Sequence, residues 1–271
     1  MSNNVTDSAA ERVAQNPVFE RFARAGYVTS GLVHLLIGYI AIRLAVGRGG
    51  STADQSGALA ELADKPGGVV ALWVATVAFL MMALWRLAET IFGRSTEPKE
   101  QGAWAEAFDR GKALALALVY LAFAHSTFGF ARGHGKSTSQ QDAGISAHLM
   151  RSTAGTVALV VAGLVIVAVG GYHVYKGVSQ NFLYDLHGAS SNLVRTLGIA
   201  GYAAKGLVLA EVGVLVVVAA IVSDPNRATG LDGALKSLLP QPLGPVLLVA
   251  AGLGIITYGL YSFAMARYTK M

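Results

Sequence analysis

Apolar residues gather along this chain into six long stretches, which more polar segments separate. The stretches occupy residues 27–46, 69–92, 112–131, 153–176, 198–222 and 244–266. A helix needs about 20 apolar residues to cross the hydrocarbon layer of a bilayer, whereas a buried strand runs about 4–8 residues. The pattern therefore predicts an all-α polytopic membrane protein with six transmembrane helices.

The composition agrees with lipid as the surrounding solvent. Charged residues make up 14% of the chain, against about 25% in soluble domains. The chain has no cysteine, which excludes disulfides, thiolate metal sites and cysteine nucleophiles. The net charge of +5 is not gathered into a basic stripe, so we expect the lipid bilayer as a partner and no nucleic acid.

The basic residues predict how the protein lies in the membrane. An even number of spans places both termini on one side, and that side carries 13 of the 21 lysines and arginines. By the positive-inside rule we expect both termini in the cytoplasm of a multi-pass protein of the plasma (inner) membrane. Residues 1–21 lack an apolar core, so they are predicted to be a polar tail with an interfacial segment and not a cleaved signal peptide.

The spans form an internal repeat of two helices. The start of the first span recurs 175 positions later, at the start of the fifth. The recurring residues are Gly26, Tyr27 and Gly31 in the first unit and Gly201, Tyr202, Lys205 and Gly206 in the third. We call this set the repeat-start motif. The repeat predicts three two-helix units, at 22–96, 97–180 and 181–271.

The second helix of each unit carries an aromatic residue followed by a basic or polar one near its cytoplasmic end. The pairs are Trp85 with Arg86, Tyr175 with Lys176, and Tyr261 with Ser262. Aromatic and basic side chains suit the headgroup region, so these pairs are predicted to be interfacial. Glycine at the span starts lets a neighbouring backbone approach. Repeats of one orientation predict a pseudo-threefold axis along the membrane normal.

These features together resemble the domain-of-unknown-function 1206 family of bacterial membrane proteins. The resemblance covers nearly the whole chain after about residue 20 and rests on the repeat-start motif and the aromatic pairs. The motif is complete only in the third unit, because Ser30 replaces the basic residue in the first unit and the second keeps only Gly111. The resemblance implies the fold and a membrane location, and it implies no activity.

Three ionisable residues are candidates for an intramembrane polar ladder. When the first helices of the units are superposed by the repeat, Glu211, His125 and Arg43 fall on nearly one face. Ionisable groups at membrane depth are functional candidates, and this ladder could relay protons, hold a cation or form one structural hydrogen bond. A one-residue error in the superposition turns a side chain by about 100°. His34 points the opposite way and is predicted to be a packing histidine.

No other site is predicted. The histidines at 34, 125 and 173 fall at three depths, which argues against haem, and no compact cluster suits zinc. The loop at 133–138 lacks the first glycine of a phosphate loop, since Phe130 stands there. We therefore expect no cofactor, no metal and no enzymatic activity. The expected role is structural, partner-binding or lipid-binding, with a membrane protein or a second copy as possible partner. The alternative is a small transporter or channel that uses Glu211 and His125.

Overall fold

The computed structural model describes residues 17–48, 52–92, 103–187 and 191–269. Within these ranges, six long helices carry the apolar stretches, and a short α-helix connects the two long helices of each repeat unit. The long helices are α1 (Pro17–Ala45), α3 (Gly68–Phe92), α4 (Ala103–Ala131), α6 (Thr153–Val178), α7 (Asn192–Val222) and α9 (Gly244–Tyr268). The short ones are α2 (Gln55–Ala63), α5 (Thr138–Leu149) and α8 (Gly230–Lys236). The predicted all-α architecture with six spans is confirmed.

Two long helices begin well before their apolar stretch. Helix α1 begins at Pro17 and α4 at Ala103, whereas the apolar pattern begins at residues 27 and 112. The added turns of α4 carry the charged residues Glu106, Asp109 and Arg110, and Arg110 donates to Glu106 there at 2.6 Å. Hydropathy marks where the lipid begins and not where the hydrogen-bonded helix begins. Most of the predicted polar tail, at 1–16, lies outside the described residues.

The bundle has two different ends. Helices α2, α5 and α8, with the segments that join them to the spans, form the end that we call the cap. The start of α1 and the end of α9 meet at the opposite end, which we call the terminal end. There Arg24 Nη1 donates to the carbonyl oxygens of Ala266, at 3.0 Å, and Arg267, at 2.8 Å. A cation on the last carbonyls of a helix is favourable, so this contact joins the first helix to the last.

The six long helices form an open ring in which neighbouring units share the largest contacts. The second helix of each unit packs on the first helix of the next, so that α3 pairs with α4, α6 with α7, and α9 with α1. Contacts within the units are smaller, and α4 and α6 scarcely touch. The cyclic order of the three pairings is the one that a pseudo-threefold arrangement requires.

Two of the pairings, α6 with α7 and α9 with α1, rest on glycines spaced seven residues apart, and we call them the glycine seams. The facing pairs are Gly163 with Gly213, Gly170 with Gly206, Gly252 with Gly38, and Gly259 with Gly31. A Cβ atom on Gly170 would lie only 2.6 Å from the backbone nitrogen of Ala210. Such close backbone contact is a main source of helix association in lipid, and the seven-residue spacing keeps it on one face over two turns.

The third pairing, α3 with α4, joins through larger side chains, and we call it the aromatic seam. The ring of Phe79 packs against those of Tyr120 and Phe123, with centroids 6.3 and 5.4 Å apart. Thr76 Oγ1 donates to Thr127 Oγ1 at 3.1 Å across the same seam. In this seam, packed aromatic rings and one hydrogen bond between hydroxyls hold the two helices together, whereas backbone contact does so in the glycine seams.

Candidate functional site

A cavity of about 220 Å³ lies between the aromatic seam, helix α1 and the cap. Its walls are mainly apolar side chains, namely Val33, Ile37, Phe79, Phe123 and Leu231. Its polar residues are Ser30, His34, Asp54, Gln55 and Thr138. We call it the central cavity. An apolar pocket with a few polar groups is the usual form of a small-molecule site.

His34 supplies the polar group on the terminal side of the central cavity. Its Nδ1 lies 2.7 Å from the carbonyl oxygen of Ser30. A carbonyl only accepts hydrogen bonds, so Nδ1 carries the proton and Nε2 of the neutral ring is an acceptor. The imidazole packs on the ring of Tyr258, with centroids 4.9 Å apart. Lys205 Nζ sits 3.9 Å from the centroid of that same tyrosine, close enough for a cation–π contact.

Asp54 supplies the carboxylate on the cap side of the cavity and is only 2% exposed. Its Oδ1 accepts from the Gly57 backbone N–H at 2.9 Å, as the N-cap of α2, and from Ser56 Oγ at 2.6 Å. Its Oδ2 accepts from Ser139 Oγ at 2.8 Å, on helix α5. A buried charge is costly unless it is hydrogen-bonded. The carboxylate is therefore committed to joining α2 to α5, with little capacity left for a ligand.

A second buried carboxylate joins the third cap helix to the first. Asp232 accepts from the Ala53 backbone N–H at 2.7 Å and from Lys236 Nζ at 2.7 Å. The side chain of Asp142 on α5 lies against Gly230 at the start of α8. Burial, and then the charge of Asp54, raises the pKa of Asp142 to about 6. The cap is thus one polar network built from all three units.

Some buried polar atoms have no hydrogen-bond partner among the described residues. One is Nε2 of Gln55, a residue of the cavity wall. The others are Arg86 Nε, Tyr261 Oη and Thr269 Oγ1, all in the terminal half of the bundle. Arg86 also pairs with Glu89 one turn along α3 at 2.5 Å, with the two side chains 13% and 11% exposed. Because buried polar atoms are nearly always bonded in native proteins, Gln55 Nε2 in the cavity wall is a candidate contact for a bound polar group.

The structure gives each residue of the expected polar ladder a different neighbour. Arg43 lies 3.7 Å from Glu61 on the cap helix α2. Glu211 accepts from Ser237 Oγ at 3.1 Å. The side chain of His125 is exposed on the outside of α4. In the described part of the chain no hydrogen bond or ion pair joins two of the three, because cap residues reach Arg43 and Glu211 and because α4 turns His125 away.

The four glycines of the repeat-start motif all lie at helix contacts. They are Gly26, Gly31, Gly201 and Gly206. Gly31 and Gly206 belong to the glycine seams, and a Cβ atom on Gly201 would lie 2.6 Å from Cα of Tyr258. Tyr202 stacks on Phe182 at 5.5 Å in an aromatic cluster at the terminal end. The glycines of the repeat-start motif therefore mark positions where two helices pack closely.

The aromatic–basic set divides into exposed and buried side chains. Tyr175 is 60% exposed, and Lys176 donates to Asp185 at 2.7 Å. Tyr261, in contrast, is fully buried, and Arg86 is nearly so. The side chains of these two residues turn into the bundle, and their interfacial depth stays a prediction. The guanidinium of Arg86 also lies over the Trp85 ring, 5.7 Å from its centroid.

Sequence reasoning missed the cap side of the cavity. Asp54 and Gln55 come from a polar connection between spans, where hydropathy carries no signal. The one available signal was an aspartate directly before a short helix, which is a favoured N-cap. His34 was interpreted as a packing residue, and the structure adds that it forms part of the cavity wall.

Comparison with known proteins gives a family and no activity. The model of the family described as Domain of Unknown Function (DUF1206) matches three times, over residues 25–93, 111–180 and 200–269. A relative from Bacillus subtilis (strain 168), described as Uncharacterized protein YxxB, is 28% identical over 277 residues, which cover 98% of each chain. No solved structure matches.

The three matched ranges align the seams of the ring. They begin 86 and then 89 residues apart and end 87 and then 89 residues apart. These offsets place Ala117 with Gly31 and Gly206, Ala124 with Gly38 and Gly213, Thr76 with Gly163 and Gly252, and Ala83 with Gly170 and Gly259. The aromatic seam is thus the one in which alanine or threonine replaces every seam glycine. The offset of 89 also pairs Tyr261 with Tyr172, instead of the expected Tyr175.

Proposed function

Since the chain belongs to the DUF1206 family and six apolar helices make it a multi-pass membrane protein, we propose that it binds a small, mostly apolar molecule in its central cavity. The role is non-enzymatic, and the protein resides in the plasma (inner) membrane with both termini in the cytoplasm. The observation that carries the proposal is the cavity of about 220 Å³ beside the one seam that lacks glycine.

The size of the cavity limits the ligand. An apolar cavity of about 150 Å³ suffices for benzene, whereas pockets for drug-sized molecules are about 300–1,000 Å³. At about 220 Å³ the central cavity suits a molecule slightly larger than benzene. A complete phospholipid tail is too large for it.

The wall chemistry limits the ligand further. The apolar side chains of Val33, Ile37 and Phe79 favour a neutral body. The buried amide nitrogen of Gln55 is a free donor on the cap side, which favours a carbonyl or hydroxyl oxygen there. Both carboxylate oxygens of Asp54 already accept hydrogen bonds, from Ser56, Gly57 and Ser139. Asp54 therefore has little capacity left to act with His34 in catalysis, which supports binding over catalysis.

Filling the cavity tests the proposal. Val33 is 8% exposed and forms part of the wall, whereas its neighbour Leu32 is 47% exposed to the bilayer side. We expect Val33→Phe to abolish binding of para-fluoroacetophenone, followed by fluorine NMR of the protein in lipid nanodiscs, and Leu32→Phe to leave it unchanged. Equal binding by both variants contradicts the proposal. So does a titration in which the unmodified protein shows no saturable binding of the ligand. Mass spectrometry of protein from its native membrane would identify the resident molecule, a partner protein or a second copy.

Proton passage is the second candidate. It is favoured because ionisable His34 and Asp54 both border the cavity and because unpartnered polar atoms continue toward the terminal end. In proteoliposomes with an internal pH dye and an imposed potential, this function predicts a proton flux that His34→Gln abolishes. Glu211→Gln and His125→Ala serve as controls, since neither residue borders the cavity. Absence of flux in the unmodified protein rejects this candidate.

The proposed orientation can be measured separately. Because the chain has no cysteine, single cysteines at Ser2 and Lys270 can be labelled with a membrane-impermeant maleimide in intact cells. We expect both to react only after lysis. Labelling of either position in intact cells contradicts cytoplasmic termini.

A further inference from the structure

The ring of long helices is open between α4 and α6, the two long helices of the second unit. In the described part of the chain these two helices scarcely touch, whereas α1 packs on α3 and α7 packs on α9. By the offsets of 86 and 89 residues, Val33, Val119 and Val208 are equivalent positions on the first helix of each unit. Val33 and Val208 are both 8% exposed, but Val119 on α4 is 45% exposed. We call the gap beside Val119 the lateral opening.

The second helix of each unit shows the same difference. Met82, Val169 and Tyr258 are equivalent by the offsets of 87 and 89 residues. Met82 is 1% exposed and Tyr258 is 7% exposed, whereas Val169 on α6 is 41% exposed. Both long helices of the second unit thus expose side chains at positions that the other two units bury.

A charged residue at the start of the apolar stretch of α4 explains the lost contact. In the first unit Gly26 lies against the side chain of Met82, and in the third a Cβ atom on Gly201 would lie 2.6 Å from Cα of Tyr258. The equivalent residue of the second unit is Lys112, whose exposed ammonium forms an ion pair within its own helix. Glycine lets two helices approach closely, and a lysine side chain in its place leaves no room for α6.

The central cavity lies behind the lateral opening. Its wall draws on α1, α3, α4 and the cap, and among the described residues none of α6, α7 or α9 contributes to it. The wall is closed at α3, because that helix packs on both α1 and α4 and Phe79 is 1% exposed. Phe123 on α4 is instead partly exposed, and Val119 lies one helical turn from it on the same face. The cavity is therefore open along α4, on the side toward α6.

We propose that the ligand enters the central cavity sideways from the bilayer, through the lateral opening, and that its class is a small apolar molecule dissolved in the hydrocarbon layer. This inference rests on the proposed function. Val119 and Phe123 both lie within the apolar stretch at 112–131, so the opening faces hydrocarbon, where apolar molecules concentrate. A route from water would have to pass the cap, whose helices Asp54 and Asp232 tie together.

The rate of ligand exchange tests the route. Val119→Trp narrows the lateral opening, and Val119 is not a residue of the cavity wall. Leu118→Trp is the matched control, because Leu118 is 58% exposed and is turned by about 100° from Val119. We expect Val119→Trp to slow both binding and release of para-fluoroacetophenone about tenfold in fluorine exchange NMR, with Kd unchanged because Kd is the ratio of the two rates. Leu118→Trp should leave both rates unchanged.

The outcomes separate the route from the proposed function. Saturable binding with unchanged rates in Val119→Trp overturns the lateral route and leaves the cavity as a binding site. Absence of saturable binding to the unmodified protein rejects both. Lys136→Trp adds the same bulk at the cap, two residues before the wall residue Thr138. Slower exchange in Lys136→Trp than in Val119→Trp assigns entry to the cap and overturns the proposal.

A measurement on the unmodified protein needs no ligand and covers the case in which Val119→Trp does not fold. Nanodiscs are prepared with a phospholipid that carries a diazirine in its acyl chain, and mass spectrometry locates the residues labelled after illumination. We expect Val119 and Val169 to be labelled about as strongly as the lipid-facing Leu118, and Met82, the buried equivalent of Val169, to stay unlabelled. Labelling of Leu118 without Val119 and Val169 shows that a second copy or another protein covers the opening, which overturns the proposal.

Discussion

The glycine seams and the aromatic seam occupy equivalent places in the ring but join their helices in different ways. In the glycine seams, backbones touch at positions such as Gly170 and Gly206, which leaves no room for a side chain. In the aromatic seam the equivalent positions are Ala83 and Ala117, and rings such as Phe79 pack there instead. The central cavity borders this third seam.

The difference shows how a repeated scaffold acquires a site. Helices in backbone contact cannot enclose a cavity, because nothing separates them. Once alanine and threonine replace glycine, side chains must fill the space between the helices, and they need not fill it completely. The rings of Phe79 and Phe123 form part of the cavity wall. Two seams thus hold their helices by backbone contact, and the divergent one borders the cavity for which we propose a ligand.

The largest expected effect concerns the charge buried at the aromatic seam. Arg86→Met leaves the Glu89 carboxylate without this cation in a little-exposed place, at a cost of about 3–5 kcal/mol. We expect a large fall in the thermal unfolding midpoint in nanodiscs. The double variant Arg86→Met with Glu89→Met should recover most of it. If Arg86→Met alone is as stable as the unmodified protein, the ion pair contributes nothing to stability.

The next largest effect concerns the glycine seams. Gly170→Leu forces a side chain against the backbone of Ala210, and overpacking of this kind costs about 3 kcal/mol. Gly171→Leu is the matched control on the same helix, since a Cβ atom there meets nothing within 4 Å. We expect size-exclusion chromatography and thermal unfolding to show damage only in the first variant. Equal tolerance of both would refute the backbone contact.

A smaller effect on ligand affinity should come from the polar group on the cap side of the cavity. Gln55→Leu removes the buried donor on the cap side, which is worth about 1.4 kcal/mol, or about tenfold in affinity. We expect this loss for para-fluoroacetophenone and none for para-fluoroethylbenzene, which lacks the carbonyl. A parallel loss for both ligands would point to a collapsed cavity instead of a lost hydrogen bond.

The smallest effect concerns pH at the cap. The pKa of Asp142 is raised from 3.8 to about 6, so the folded state binds this proton more tightly than the unfolded state does. The stability that protonation contributes is therefore complete below 3.8 and is lost as the pH rises to about 6. Allowing for screening of this half-buried group, we expect a change of about 1 kcal/mol. Asp142→Asn should abolish it in unfolding scans across that range, and an unchanged pH profile would refute the assignment.

The contrast between Glu211 and His34 shows where prediction from sequence stops. Both are ionisable residues in apolar helices, and superposing the repeats placed Glu211 on the shared face and turned His34 away. The structure bonds Glu211 to Ser237 of the cap segment and places His34 in the cavity wall. Which way a helix faces depends on its rotation within the ring, and each residue turns the direction by about 100°. No local pattern specifies that rotation.

Hydropathy and periodicity by themselves determined the six spans, the threefold repeat and the small residues at the helix contacts, because lipid solvation and close backbone approach act on each segment locally. Only the tertiary structure decided that α3 pairs with α4 without glycine, that Asp54 closes a cavity from a polar connection, and that Tyr261 turns inward. These outcomes depend on contacts between residues far apart in the chain, whose energies exist only once the helices have packed together.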